Sequence, residues 1–63
     1  MRNYDHLRIR ALELARRGWV SPSDLVRELH IDLEDAHALL DDLNRRGLVF
    51  QDGPLAIARE GWA

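Results

Sequence analysis

Apolar residues recur along this chain in three helical stripes and then switch to an extended pattern. Tyr4, Leu7, Ala11, Leu14 and Ala15 repeat at three-four spacing and predict a first helix over 3–17, capped by Asn3 or Asp5 and stopped at Gly18. Leu12 falls on the flank of that face, while Ile9 points the opposite way between Arg8 and Arg10. A lone exposed isoleucine is ordinary on a protein surface, so a dimer contact through Ile9 is the minority reading. Trp19 and Val20 form a short extended link, of the kind that contributes a small strand to a sheet in three-helix folds. Leu25, Leu29 and the flanking Val26 mark a second helix from Pro22 to about Leu29. Ser21 is its N-cap, Pro22 suits the first helical position, and Asp24 stands three residues after the cap. Val20 and Leu25 occupy the positions of a hydrophobic staple.

His30 falls in the three-residue turn that follows and reads as solvated. The third helix runs from Leu33 to Arg46, with Leu33, Ala36, Leu39, Leu40 and Leu43 as its buried stripe. It repeats the grammar of the second: Asp32 caps, Asp35 is at N3, and Ile31 and Ala36 make the staple. Gly47 ends it, and Arg45 and Arg46 in the last turn offset the helix dipole. Leu48, Val49 and Phe50 then precede Gln51-Asp52-Gly53-Pro54, and Leu55 to Ala58 follow. An Asp-Gly step between two apolar runs signals a hairpin, with Pro54 expected to remove a ladder donor where the return strand starts. The predicted fold is mainly α with a small β-hairpin: a winged helix-turn-helix of three helices and a stubby two-stranded wing. Trp62 in the tail is expected to pack on the domain edge.

At 63 residues the chain is a single domain over 1–63, near the lower limit for folding on an apolar core alone. It has no cysteine, which removes disulfides and thiolate metal sites. The scattered His6, His30 and His37 do not replace them, so neither metal nor cofactor is expected. No signal peptide or membrane-length apolar run appears, and a cytoplasmic protein that avoids membranes is the expectation. All 9 basic residues are arginine, against 11 acidic residues, and such a balance does not advertise a nucleic-acid partner.

Catalytic groupings are absent from the pattern. His37 and Asp41 share a helix face at i,i+4, but two groups make a poor metal or acid-base site. Ser21 and Ser23 are explained by capping, and there is no glycine-rich phosphate loop. A domain of this size also offers little of the enclosed cleft that small-molecule chemistry uses. The expectation is a non-enzyme without a small-molecule substrate, acting by macromolecular binding.

From Gly18 to Val49 the sequence resembles the winged-helix gamma domain of FtsK-type bacterial DNA translocases. Ser21, Ser23, Arg27, Leu29 with Ile31, Ala36, Leu39, Leu40, Leu43 and the run Arg46-Gly47-Leu48-Val49 carry that resemblance. It implies a winged helix whose third helix meets DNA through an opening segment of the form Tyr-Asn-Arg-Ala-Ala-Arg. The matching positions here are Leu33, Glu34, Asp35, Ala36, His37 and Ala38, so both arginines are missing and one is replaced by an acid.

Helix-turn-helix proteins read bases with the first turns of this helix. Here Asp32, Glu34 and Asp35 would bring three carboxylates towards a phosphate-lined groove, where affinity comes mostly from neutralising phosphates. A regulatory or adaptor protein docking a basic protein partner is therefore ranked first. Glu34, Asp35, Asp41 and Asp42 would make the contact, with His37 and Arg45 at its rim. That partner would belong to a DNA-processing assembly, or be a nucleic-acid-binding protein blocked by charge mimicry. The alternative is a regulator of double-stranded DNA acting as a homodimer. Arg16, Arg17, Arg45 and Arg46 would then hold phosphates, and His37 would read a base.

Overall fold

A computed structural model of the chain describes residues 4–59, with the side chain of Tyr4 left aside. Helices α1 (Tyr4–Arg17), α2 (Pro22–Leu29) and α3 (Leu33–Arg45) are followed by strands β1 (Val49–Asp52) and β2 (Leu55–Ala58). This is the order of a winged helix. The Asn3 cap and the Trp62 packing lie outside the described residues.

The start of α2 is fixed by a complete capping box. The Asp24 N–H donates to Ser21 Oγ at 3.2 Å, and the Ser21 N–H donates to Asp24 Oδ2 at 2.9 Å. The end of α3 is as well defined. Gly47 takes φ 74°, its N–H donates to the Asn44 carbonyl at 3.0 Å, and the Leu48 N–H reaches back to the Leu43 carbonyl at 2.9 Å. That pair of bonds is a Schellman motif, and its left-handed residue is best supplied by glycine. Helix α2 closes on a non-glycine residue instead: His30 sits at φ 56°, ψ 49° while its N–H donates to the Val26 carbonyl. Histidine enters this region more readily than β-branched residues do.

Expectation and structure part at four places. Asp32 occupies the N-cap of α3, yet its side chain makes no capping hydrogen bond, so the capping box of α2 is not repeated. Leu33, assigned above to the buried stripe, is 52% exposed. It is the first residue of α3, a full turn beyond the leucines that α1 and the sheet cover. The third helix ends at Arg45, one residue before the predicted boundary, because Arg46 already serves as its C-cap. Finally, β1 starts at Val49 and the strands pair further out than expected, Val49 with Ala58 and Asp52 with Leu55. Gly53 and Pro54 are thus the two turn residues, and Gly53 has φ 63°. A positive φ followed by a ring-locked negative one suits a type II′ turn, in which the proline costs the ladder no bond.

Where a small strand was expected, Val20 forms a one-residue antiparallel bridge to β2. Its N–H donates to the Ala56 carbonyl at 2.8 Å and its carbonyl accepts from the Ala56 N–H at 2.9 Å. β2 is therefore the middle strand, with β1 on one side and the α1–α2 link on the other. The inner face of the sheet (Val20, Val49, Ala56, Ala58) closes over Leu25, Leu39, Leu40 and Leu43, with Ala11 and Ala15 completing the core from α1. Alanines on α1 and β2 let those two elements approach each other closely, while three α3 leucines fill the centre.

The backbone N–H of Ser21 is the leading cause holding the Asp24 carboxyl below its ordinary 3.8, followed by the Ser21 hydroxyl and Arg27, while partial burial opposes them. Because the folded value is depressed, this contribution is complete above 3.8 and disappears as pH falls through the lower folded value. Ser21→Ala should lower unfolding free energy by about 1 kcal/mol in urea titrations. Asp24→Asn should flatten the acid limb of stability below pH 3.8.

Candidate functional site

Helix α3 buries one stripe, so its remaining residues divide into an outer strip and a flank. Glu34, His37, Ala38, Asp41 and Arg45 follow one another at three-four spacing along the outer strip, and all are exposed. Asp35, Asp42 and Arg46 lie on the flank that turns towards α1. A long-range contact marks this flank: an Arg8 guanidinium nitrogen of α1 lies 3.4 Å from Asp42 Oδ2.

The charges on the C-terminal half of α3 are internally matched. Arg45 donates through Nε to Asp41 Oδ2 at 3.1 Å and through a second nitrogen to the same oxygen. Asp41, by its hydrogen bond first and its charge second, keeps the Arg45 guanidinium above its ordinary pKa. Arg46 donates through Nε to Asp42 Oδ2 at 3.0 Å. Asp42 thus lies between Arg46 and Arg8, each reaching the same oxygen. The i,i+4 pair Asp41–Arg45 was legible from spacing. The Arg8–Asp42 pair was not, because the residues are 34 positions apart and only the packing of α1 on α3 brings them together.

The N-terminal turn of α3 is different. Leu33 is half exposed, Asp32 and Glu34 are exposed on either side of it, Asp35 is half-buried and His37 is exposed one turn on. Asp32 is not used in capping. Of the residues proposed for partner binding, the structure therefore gathers Glu34, Asp35 and His37 around the first turns. It separates off Asp41, Asp42 and Arg45, which belong to ion pairs nearer the other end. Leu33 was missed as a surface residue; its place at the helix tip was the available signal.

The arginines of the DNA-binding alternative do not form one surface. Arg17 borders the groove between α1 and α2, along with Trp19, Asp24 and Arg27. Arg46 borders a groove on the other flank of α1, with Asp5 and Arg8. Arg16 is exposed on α1, and Arg45 is hydrogen-bonded to Asp41 on the outer strip of α3. Among the described residues no group of three or more His, Cys, Asp or Glu side chains is arranged to hold a metal ion. Nor, among those residues, is any helix long and apolar enough to cross a membrane.

No family model, curated protein or solved structure matches the chain. Its surface chemistry has to be read from its own residues.

Two aspartates hold three arginines, and removing both should expose that positive charge. The double variant Asp41→Ala, Asp42→Ala should remain folded, since surface ion pairs contribute only about 0–1 kcal/mol each. Its affinity for a random DNA duplex at low salt should rise above that of the unmodified chain and fall steeply with added salt. Fluorescence anisotropy on a labelled duplex measures both.

Proposed function

We propose that this winged helix is a non-catalytic adaptor that docks a basic protein partner through the N-terminal turn of α3. One observation carries the reading: Leu33 stands exposed at the helix tip, between the carboxylates of Asp32 and Glu34, with His37 one turn on. A half-exposed leucine among carboxylates fits a shallow apolar pocket rimmed by lysine or arginine. The leucine would supply buried area, and the carboxylates would supply orientation and association rate. The pairing within α3 narrows the expected contact from the whole acidic face to this end. Asp41 and Asp42 already serve Arg45, Arg46 and Arg8, and a partner would have to displace those arginines to use them.

Direct DNA recognition ranks below docking for the same reason. The leading edge of the helix carries carboxylates, and Arg45 and Arg46 are engaged by acids of their own helix. The resemblance to the FtsK-type gamma domain, which covers the scaffold and not its basic opening segment, suggests a partner that itself handles DNA. That context is part of the proposal. Fold analogy alone decides nothing about function.

Two titrations test the reading. The first uses random duplex DNA at low salt, where no binding is expected; tight, salt-sensitive binding would instead put the DNA-regulator reading first. The second follows backbone amide shifts while adding a cationic amphipathic peptide of alternating arginine and leucine. Shifts should concentrate at Leu33–His37 and be lost in the folded double variant Leu33→Ala, Glu34→Lys. Shifts spread evenly over the domain, or unchanged in that variant, would sink the docking site.

A further inference from the structure

Helix α1 carries a second surface that the docking reading does not use. Asp5, Ile9, Leu12 and Arg16 are spaced by four, three and four residues and share one stripe on its outer side. Arg8 and Glu13 flank the stripe on opposite sides. Ile9 is 58% exposed, the largest exposure among the large apolar residues of the described chain. With Leu12, Leu43 and Leu48 it lines a groove of about 430 Å³ edged by Asp5, Arg8 and Arg46. Ile9 is thus the exposed apolar rim of this face.

The charges say what fits there. The stripe begins with an acid, passes two apolar residues and ends with a base. Reversed end for end, the same sequence complements itself. With two α1 helices antiparallel, Asp5 faces the partner's Arg16 and Ile9 faces the partner's Leu12. Each contact is made twice about the two-fold axis, as an isologous interface requires. A parallel register would instead set like charge against like. Asp5 holds Arg8 within its own helix, yet its side chain is 82% exposed and open to a second guanidinium.

We propose that this stripe is a dimerisation surface, through which a second copy of the chain packs antiparallel with each Ile9 against the other's Leu12. The helix has 14 residues, about 21 Å in length. Such a contact falls short of the roughly 800 Å² per partner of a standard stable interface, so the dimer is a dissociating one. Both α3 tips are left uncovered, and the dimer stands or falls independently of the docking proposal.

Sedimentation equilibrium of the full chain over a range of concentrations tests this. A reversible monomer–dimer equilibrium is expected, with Ile9→Glu raising its dissociation constant by about tenfold or more. Ile9 is outside the core, so circular dichroism and the melting curve of that variant should match the unmodified chain. Asp5→Arg and Arg16→Asp should each weaken the dimer, and the two together should restore it. Should Asp5→Arg fray the start of the helix, Arg16→Asp alone, near its other end, must still weaken the dimer. A monomer at every concentration, a dimer indifferent to Ile9→Glu, or single reversals that the double does not repair would each overturn the proposal.

Discussion

The pairing of Val20 with Ala56 is the constraint on which the rest of this small domain depends. A two-stranded hairpin alone is marginal in water, and β1–β2 has only four residues in each strand. Val20 braces it with two hydrogen bonds to Ala56 and buries its own side chain. The next residue, Ser21, caps α2. Within two residues the chain therefore anchors the wing, contributes to the core and sets the direction of the helix-turn-helix. Loosening this link would release β2 from the side of the sheet that α1 and α2 approach, and would uncover Leu25 and the α3 leucines together.

Most of this was legible because the relevant signals are local. Ser21, Pro22 and Asp24 specify one conformation in consecutive residues, and Gly47 marks the only comfortable exit from α3. The capping box failed to recur at Asp32 although the residue types are similar, because an aspartate at the N-cap position can orient away from the helix N–H groups. Leu33 misled for a different reason. Periodicity reports which direction a side chain points, not whether another element extends far enough to cover it. The hairpin register slipped outwards because Gly53-Pro54 makes a tighter turn than the four-residue segment suggested by Gln51-Asp52-Gly53-Pro54.

The candidate site was only half legible, since its electrostatics depend on contacts across the fold. Counting Glu34, Asp35, Asp41 and Asp42 as one acidic face follows from sequence alone. That Asp41 and Asp42 hold arginines of α3 and α1 does not. It needs α1 packed on α3 with Arg8 beside Asp42. Once that packing exists, the C-terminal half of α3 becomes a lattice of local pairs, and the asymmetry of the helix shifts to its first turn.

Helix physics gives part of that asymmetry a structural cause. Carboxylates near the N-terminus and arginines near the C-terminus both oppose the helix dipole, worth about 0.3–1 kcal/mol per charge at low salt. Asp32, Glu34 and Asp35 could thus be present for stability alone. The dipole does not, however, account for a leucine at the first helical position left half exposed among them. An alanine or glutamate there would serve the helix equally well, and without displaying an apolar side chain to water. The reading of α3 as a docking element therefore rests on Leu33 more than on the carboxylates, and a substitution at Leu33 separates binding from helix stability more cleanly than any change of charge.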